Sequence, residues 1–239
     1  MKKLLFSLLT LVSLSAFAQE VISDPNSSHE TRTLNGSFTG ISVSSGIELF
    51  LTQGDSESVA VSASNAKYMD RFVTEVVNGT LKIYFDNKNW NWTKGERRSL
   101  KAYVSFKTLE KLSGSAGSVT KMKSPLAAGN LVMKFSSGAT FNGSVEATAI
   151  EVDQSSGAEM TISGKAGKLQ VETSSGATFK GYQLAVDFCD AKASSGGAVN
   201  ITINKELNAK ANSGGDIRYK GEALMREVNI SSGGTVKKS

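Results

Sequence analysis

The chain has 239 residues, with 27 Lys and Arg against 22 Asp and Glu, a formal net charge of +5, 39% hydrophobic residues and 23 glycines. A single Cys and a single His exclude a disulfide-stabilised scaffold, a Cys-rich zinc site and a multi-His metal site. The positive charge forms no basic stripe of the kind that nucleic-acid binding requires, because the densest clusters are only Lys94–Arg98 and Lys237-Lys238.

Residues 1–18 have the pattern of a secretory signal peptide. Lys2-Lys3 precedes an apolar run over residues 4–17, and Ala16-Phe17-Ala18 forms a small-x-small cleavage pattern. The run is shorter than the ~20 residues that a helix needs to cross a bilayer, and no Cys follows the cleavage point to carry a lipid anchor. We therefore expect an exported protein without a transmembrane segment, located in the periplasm, at the outer membrane or on the cell surface.

The next segment, residues 19–33, is predicted to be a flexible lead-in. It contains Ser, Asn, Asp and Pro without apolar periodicity. Its one histidine, His29, is expected to be a solvated loop residue, since no second His exists to share a metal ion. A single domain is expected over residues 34–239.

The region up to residue 106 is predicted to be irregular β structure. Residues 40–52 and 101–106 alternate between apolar and polar residues, as half-buried strands do. Asn78-Gly79 lies between two further strand patterns and is a strong signal for a hairpin with a tight turn. Helical signals are weak and are limited to a turn or two over residues 66–73 and one turn over residues 223–227.

The long polar segment over residues 86–99 carries both tryptophans of the chain, Trp90 and Trp92. Tryptophans on a polar loop can stack on sugars or anchor a protein partner. They can also fold over the end of a repeat protein and shield its open edge. Both interpretations remain open for this pair.

A motif of small residues recurs from residue 136 onward. Its form is Ser-Ser-Gly or a close variant, and its successive glycines are 19, 19, 20, 18 and 19 residues apart. The copies are Ser136-Ser137-Gly138, Ser155-Ser156-Gly157, Ser174-Ser175-Gly176, Ser194-Ser195-Gly196, Asn212-Ser213-Gly214 and Ser231-Ser232-Gly233, with a degenerate copy at Ser115-Ala116-Gly117. Such regular spacing indicates a repeat protein.

Apolar and polar residues alternate on both sides of each motif, and this pattern indicates the structure of one repeat. Apolar residues recur at every second position, as in Leu131 and Met133 before the first motif and in Met160 and Ile162 after the second. The motif supplies a sharp corner, because Gly accepts a positive φ and Ser hydrogen-bonds to nearby backbone. Each repeat is therefore predicted to be one coil of a β-solenoid, with a second, looser corner at Gly143, Gly164, Gly181 and Gly221.

Nucleophilic catalysis has little support in the sequence. A Ser-His-Asp arrangement would have to use His29 in the lead-in. Cys189 occupies a position where other repeats have Leu or Ile, so it is expected to be a packing residue. Gly214-Gly215-Asp216 only faintly resembles the nine-residue repeats of calcium-binding β-rolls.

Acidic residues are the remaining candidates for chemistry. A glycosidase needs two carboxyl groups about 5–9 Å apart, which one or two coils of separation would give. The candidates are Glu146, Glu151, Asp153, Glu172, Asp187, Asp190 and Asp216. Glu151, Asp153 and Glu172 are expected to stack on the outer face, where an ordinary solvated surface is the simpler interpretation.

The sequence resembles the head GIN domain family of putative autotransporter adhesins over roughly residues 34–238. The resemblance lies in the run Gly40–Gly54 (GISVSSGIELFLTQG), in Val77–Ile83 (VNGTLKI), in the serial Ser-Ser-Gly corners and in Asp216–Gly221 (DIRYKG). It departs from the family where Glu48 stands in place of an Asn, and where corners read Ser-Ser-Gly in place of Gly-Ser-Gly. The resemblance implies a right-handed β-helix without a recognised catalytic set, and a role in adhesion.

The sequence therefore predicts an all-β protein, a right-handed single-stranded β-helix with ~19-residue coils and an irregular N-terminal β region. We expect a non-enzymatic, adhesin-like binding protein with no cofactor, no metal and no catalytic residues, whose partner is a protein or a glycan of the cell envelope. Trp90 and Trp92 are the candidate contact residues. The alternatives are a carbohydrate-active enzyme that uses the stacked carboxylates, and an envelope element that forms a homo-oligomer.

Overall fold

The computed structural model describes residues 28–90 and 98–239, and in this part of the chain 17 strands join into one sheet that winds into a solenoid. The strands before the regular repeats are β1 (Ser28–Arg32), β2 (Gly40–Val43), β3 (Glu48–Gln53), β4 (Ser58–Ala63), β5 (Phe72–Val77), β6 (Thr80–Phe85), β7 (Leu100–Phe106), β8 (Lys111–Gly114) and β9 (Val119–Met122). The strands of the repeats are β10 (Leu126–Phe135), β11 (Thr140–Gln154), β12 (Glu159–Thr173), β13 (Thr178–Ala193), β14 (Ala198–Ala211), β15 (Asp216–Lys220), β16 (Leu224–Ile230) and β17 (Thr235–Lys238). The predicted all-β solenoid is confirmed.

Each regular coil consists of one long strand and one tight turn. β11 and β12 pair in parallel over their whole lengths, so that Ile150 lies beside Leu169 and Phe141 beside Met160. Of the four looser corners predicted, only Gly221 separates two strands, β15 and β16, and it has a φ angle of 96°. The strands continue through Gly143, Gly164 and Gly181. Parallel pairing between successive coils keeps like positions in columns, and this produces the 19-residue period of the sequence.

The tight turns stack into a column of hydrogen bonds. At the first regular corner Ser137 and Gly138 have φ angles of 53° and 71°, and the Ala139 N–H donates to the Ser136 carbonyl oxygen at 3.1 Å. Two successive positive φ angles define a type I′ turn. The Gly138 N–H then donates to the Ser156 carbonyl oxygen of the next coil at 3.0 Å. The predicted Gly corner is confirmed, and the second Ser of each motif shares its left-handed conformation.

The N-terminal region forms coils of the same solenoid, in an order that differs from the chain order. The β2–β3 coil lies between the β6–β7 coil on one side and the β8–β9 coil on the other. β5 pairs antiparallel with β6 through the predicted Asn78-Gly79 hairpin, and β4 pairs antiparallel with β7. These antiparallel strands close one end of the solenoid. We use the name N-terminal cap for β4 and β5 together with β1 and the 3₁₀ helix Ala66–Arg71.

Two local predictions were wrong. The flexible lead-in predicted over residues 19–33 is wrong for β1, which pairs antiparallel with β4 and exposes His29, whereas residues 19–27 lie outside the described residues. An edge strand is held by its backbone hydrogen bonds, so it needs no apolar alternation. β16 covers residues 224–227, where a helical turn was predicted, because pairing with β14 overrides a weak helical preference. The predicted signal peptide lies outside the described residues.

The core is a set of apolar columns that runs along the inside of the coils. Leu169, Cys189 and Leu207 form part of one column, and all three are buried. The predicted packing role of Cys189 is therefore confirmed. The burial of these side chains depends on the coil above and the coil below, so the free energy of folding comes mainly from stacking neighbouring coils.

Candidate binding groove

The side chains that point outward from the coils form two lateral walls. One wall, the groove wall, is made by residues 150–154, 169–173, 189–193, 207–211 and 224–230 of successive coils. The other, the opposite wall, is made by residues 140–142, 159–161, 178–180, 198–200, 216–220 and 235–238. Since alternate residues of a strand point to opposite faces, every second residue of these segments faces solvent.

A shallow groove of about 380 Å³ lies on the groove wall toward the C-terminal end. Its residues, which define the lateral groove, are Gln170, Asp190, Ala191, Lys192, Asn208, Ala209, Lys210, Glu227 and Asn229. One row contains Gln170, Asp190 and Asn208 on adjacent coils, and a second row contains Lys192 and Lys210. The interior column beneath the groove changes from Val171 to Ala191 and Ala209 at this point.

Hydrogen-bonding groups of different kinds alternate along the lateral groove. The Asn208 amide donates to one Asp190 carboxylate oxygen at 2.6 Å, and the Lys168 ammonium lies 3.5 Å from the other oxygen. Amide, carboxylate and ammonium groups are therefore presented together, about 4.8 Å apart from coil to coil. A ligand with many hydroxyl or amide groups at similar spacing would find both donors and acceptors.

An exposed aromatic ring borders the lateral groove. Phe188 is two residues before Asp190 on β13, points to the same face, and is 43% exposed. It lies between Lys168 and Glu206 of the neighbouring coils, and Leu224 on the coil beyond Glu206 is 54% exposed. An exposed ring beside hydrogen-bonding groups is a common feature of surfaces that bind sugars or peptides.

Ion pairs hold the side chains around this ring. The Lys205 ammonium pairs with Asp187 at 2.7 Å and lies 5.4 Å from the centre of the Phe188 ring. The hydrogen bond from Lys205 lowers the pKa of the Asp187 carboxyl group. Arg226 pairs with Glu206 at 2.7 Å, and its hydrogen bond lowers the pKa of the Glu206 carboxyl group. Each ion pair thus makes its carboxylate harder to protonate.

The carboxylates predicted to stack do lie on adjacent coils. Asp153 is beside Glu172 in the register of β11 and β12, and Glu151 is beside Gln170. Glu172 continues the row into the lateral groove, where Lys192 lies 3.7 Å from its carboxylate. Pairing with a lysine is the arrangement of an ordinary charged surface row. Of the other acidic candidates, Asp190 lines the lateral groove and Asp187 lies beside Phe188, whereas Asp216 pairs with Arg218 on the opposite wall at 2.7 Å.

Trp90 lies at the N-terminal cap, far along the solenoid from the lateral groove. Its ring is 5.8 Å from the Tyr68 ring and 5.6 Å from the Phe85 ring, and the Arg71 guanidinium lies 5.3 Å from its centre. The side chain is partly buried against the core. Trp92 lies outside the described residues. The contact site predicted at Trp90 and Trp92 stays a prediction.

Other chemistry considered in the sequence finds no assembled site. Within residues 28–90 and 98–239, no group of three or more His, Cys, Asp or Glu side chains is placed to hold a metal ion. Burial raises the pKa of the Cys189 thiol, so this sulfur stays protonated. Across the same residues, no helix has the length and apolar character that a membrane span requires.

Sequence reasoning did not identify the lateral groove or Phe188. A signal for Phe188 was present, because the inward positions of its strand are Cys189 and Ala191, which places a large apolar residue at an outward position. The groove depends on which outward residues of separate coils stand side by side. That arrangement depends on the register shifts within β13 and β14, which no local pattern shows.

Comparison with known proteins gives a family match over most of the chain. The model of the family described as "Putative auto-transporter adhesin, head GIN domain" matches residues 37–223. No curated protein matches the chain at a significant level.

Solved structures share the same fold at low sequence identity. A putative adhesin from Bacteroides fragilis superposes with a TM-score of 0.79 at 14% identity, covering 90% of this chain and 98% of its own. Putative adhesins from Parabacteroides merdae and Parabacteroides distasonis both give a TM-score of 0.71, at 17% and 20% identity. The first alignment covers 90% of this chain and 97% of the relative, the second 89% and 97%. At such identities the likeness extends to the fold alone.

Proposed function

The chain belongs to the head GIN domain family of putative auto-transporter adhesins, and on that basis we propose that it is an exported, non-enzymatic binding protein of the cell envelope that holds a glycan in the lateral groove. Export is supported by the signal-peptide pattern of residues 1–18. A location at the envelope is supported by the family and by structural neighbours that are named putative adhesins.

The observation that carries this proposal is the position of Phe188 beside the lateral groove. Exposed aromatic rings provide stacking surfaces for the apolar faces of sugar rings, and flanking amide and carboxylate groups bind the hydroxyls. Asp190, Asn208 and Lys192 supply such groups within two coils of the ring. The shallow, extended shape suits a chain of sugars better than a small molecule, which usually needs an enclosed pocket.

A binding role is better supported than catalysis. Asp153 and Glu172 stand on adjacent coils of the groove wall, which is the geometry that a glycosidase would need. However, the nearest charged partner of Glu172 in the row is Lys192, and the described residues of the lateral groove include no His, Tyr or Arg that could assist proton transfer. We therefore propose that the acidic residues serve as hydrogen-bond acceptors.

The test is a glycan array probed with residues 19–239 and with two pairs of matched variants. Phe188→Ala changes the border of the lateral groove and Asn208→Ala its lining. Phe50→Ala and Asn142→Ala change the same residue types in one outward row that runs from β3 through β9 into the opposite wall. We expect selective glycan binding that falls at least about tenfold in the first pair and is kept in the second. Equal losses in both pairs, or an array without binding, would contradict a groove that binds glycans.

A parallel assay tests the absence of catalysis. Glycans that bind on the array are incubated with the protein, and release of reducing ends or unsaturated products is followed. We expect none, with the double variant Asp153→Asn and Glu172→Gln as the comparison. Turnover that this variant abolishes would show that the protein is an enzyme. Binding lost in Trp90→Ala alone would move the contact site to the N-terminal cap.

A further inference from the structure

The two ends of the solenoid differ in how their interiors are covered. At the N-terminal cap, the 3₁₀ helix places Tyr68 and Met69 over the core, and both are buried. At the other end, Val228 and Ile230 continue the interior columns of Ala209 and Ala211, yet they are 46% and 50% exposed where their column neighbours are 3% and 0% exposed. The last coil therefore leaves the inward side chains of Val228 and Ile230 half in water.

The backbone edges of the last coil are also unpaired. Among the described strands, β16 pairs only with β14 and β17 only with β15. An edge with free N–H and C=O groups and apolar neighbours readily accepts another strand. The two edge strands at the N-terminal cap, β5 and β1, are different. On β5, the Val76 N–H donates to the Asn35 side-chain oxygen at 2.9 Å and the Val76 carbonyl oxygen accepts from the Asn35 amide at 3.3 Å, so this edge is already occupied. The other edge strand, β1, exposes His29 and Glu30 and carries a Glu30–Arg32 ion pair at 3.0 Å. Charged side chains of this kind oppose edge-to-edge pairing.

The differences between the two ends indicate what covers the exposed C-terminal coil. A head-to-tail contact would place β16, with Val228 and Ile230, against β5, where the Asn35 side chain already occupies the outer edge, and β17 against the charged strand β1. Both contacts are unfavourable. The residues before Ser28 are joined to β1 at the opposite end, which is separated from β17 by ten strand spacings, or roughly 48 Å. A second copy that presents the same C-terminal end offers apolar side chains and free edges at once.

Charge complementarity fixes the orientation of that second copy. Glu227 points outward from β16 and Lys237 points outward from β17, and neither has an ion-pair partner within residues 28–90 and 98–239. A two-fold axis along the strand direction sets β16 of one copy against β17 of the other in antiparallel orientation, which brings Glu227 toward the partner's Lys237. The alternative two-fold axis runs across the strands and sets β16 of one copy against β16 of the other. It brings the two Glu227 carboxylates together, which is repulsive.

We propose that the protein forms a two-fold dimer in which two solenoids join end to end through their C-terminal coils, with β16 of each copy against β17 of the other. The interface buries Val228 and Ile230 and extends the sheet from one copy into the next. It closes after two copies, because each N-terminal cap is blocked by β1 on one edge and by the Asn35 side chain on the β5 edge. This inference is independent of the ligand proposed for the lateral groove.

The first test is sedimentation equilibrium of residues 19–239 up to about 200 µM, a range that covers weak, small interfaces. We expect the mass to double with concentration, and Val228→Lys to remain monomeric with an unchanged circular dichroism spectrum. Phe188→Lys is the matched control, because it charges an equally exposed apolar residue away from the end, and it should still dimerise. A monomeric wild type overturns the proposal, as does a dimer that Val228→Lys leaves intact or an assembly that grows beyond two copies.

A charge exchange tests the orientation. Glu227→Lys alone and Lys237→Glu alone should each weaken the dimer about tenfold, since each creates a like-charge contact. The double variant should restore the wild-type dissociation constant, because every Glu227–Lys237 pair is then reversed. Under the alternative axis, Lys237→Glu would not rescue Glu227→Lys. Absence of rescue would therefore overturn the assigned orientation.

Discussion

Gly164 lies directly beside the backbone of Val145 on the preceding coil, so closely that a Cβ at position 164 would overlap the Val145 carbonyl oxygen. Its φ angle of 111° is also one that L side chains rarely adopt. The path of β12 through Gly164 depends both on this close approach and on this φ angle. The glycine is needed for the approach of two coils as well as for the local turn of the chain.

We expect Gly164→Ala to lower the free energy of unfolding by at least about 2 kcal/mol, because the new methyl group meets rigid backbone and the φ angle becomes strained. The measurement is urea unfolding followed by circular dichroism. Gly129→Ala is the control, since that position has open space around it and no positive φ, and it should change stability by less than about 0.5 kcal/mol. Equal effects of the two variants would contradict the close approach.

Phe179 tests the interior columns. Its side chain is fully buried, and truncation leaves a cavity that the stacked coils cannot readily fill. We expect Phe179→Ala to cost about 3–5 kcal/mol in a denaturant titration. Phe188→Ala removes the same group from the surface and should cost less than about 0.5 kcal/mol. The contrast would fail if the surface variant were comparably destabilised.

Trp90 should contribute to stability as part of the N-terminal cap. Trp90→Ala removes the contacts with Tyr68, Phe85 and Arg71, and we expect a loss of about 1–3 kcal/mol. Trp90→Phe keeps an aromatic ring and should recover at least half of that loss. Thermal unfolding of the three proteins decides the matter, and an unchanged midpoint for Trp90→Ala would show that the ring is not a structural part of the cap.

Cys189 should be unreactive in the folded protein. Burial raises the pKa of its thiol, so the reactive thiolate is scarce and the sulfur is shielded from reagents. Ellman's reagent at pH 8 should modify less than about a tenth of the protein within an hour in buffer and all of it in denaturant. Rapid modification of the native protein would contradict the position of Cys189 inside the column.

The Glu206–Arg226 ion pair should give a small pH dependence of stability. The folded-state pKa of Glu206 is lowered, so its contribution is present above the unfolded value of about 4.3 and is lost as the pH falls through the folded value. Arg226→Gln should therefore unfold at a lower temperature than wild type at pH 7, and the difference should shrink as the pH falls and Glu206 becomes protonated in the folded protein. Because both groups are exposed, the difference at pH 7 will be modest.

The fold could be predicted where a local pattern repeats at a fixed interval. The corners from Gly138 to Gly233 obey one period, and the Gly of each corner accepts its positive φ angle without a steric penalty. The corner at Ser45-Gly46 belongs to the same column, since the Gly46 N–H donates to the Ala116 carbonyl oxygen at 2.9 Å. It escaped detection because β4 to β7 intervene in the chain, and a search for equal intervals does not cross such an excursion.

The candidate site was less predictable, for a different physical reason. Glu151, Asp153 and Glu172 were identified because each lies at an outward position of its own strand. The lateral groove instead depends on the combination of Asp190, Asn208 and Lys210 across coils whose lengths vary. Irregular coil lengths shift which residues meet, and only the assembled register specifies them.

The column of stacked corners also has a mechanical consequence. The Gly138–Ser156 hydrogen bond and its equivalents at other corners join one coil to the next, as do the ladder bonds of the strands, so all of them run along the axis of the solenoid. Under tension between the two ends, the bonds of one interface share the load in parallel, while successive interfaces carry it in series. The force at which the protein yields is therefore set by its weakest pair of coils, and adding coils lengthens the protein without strengthening it.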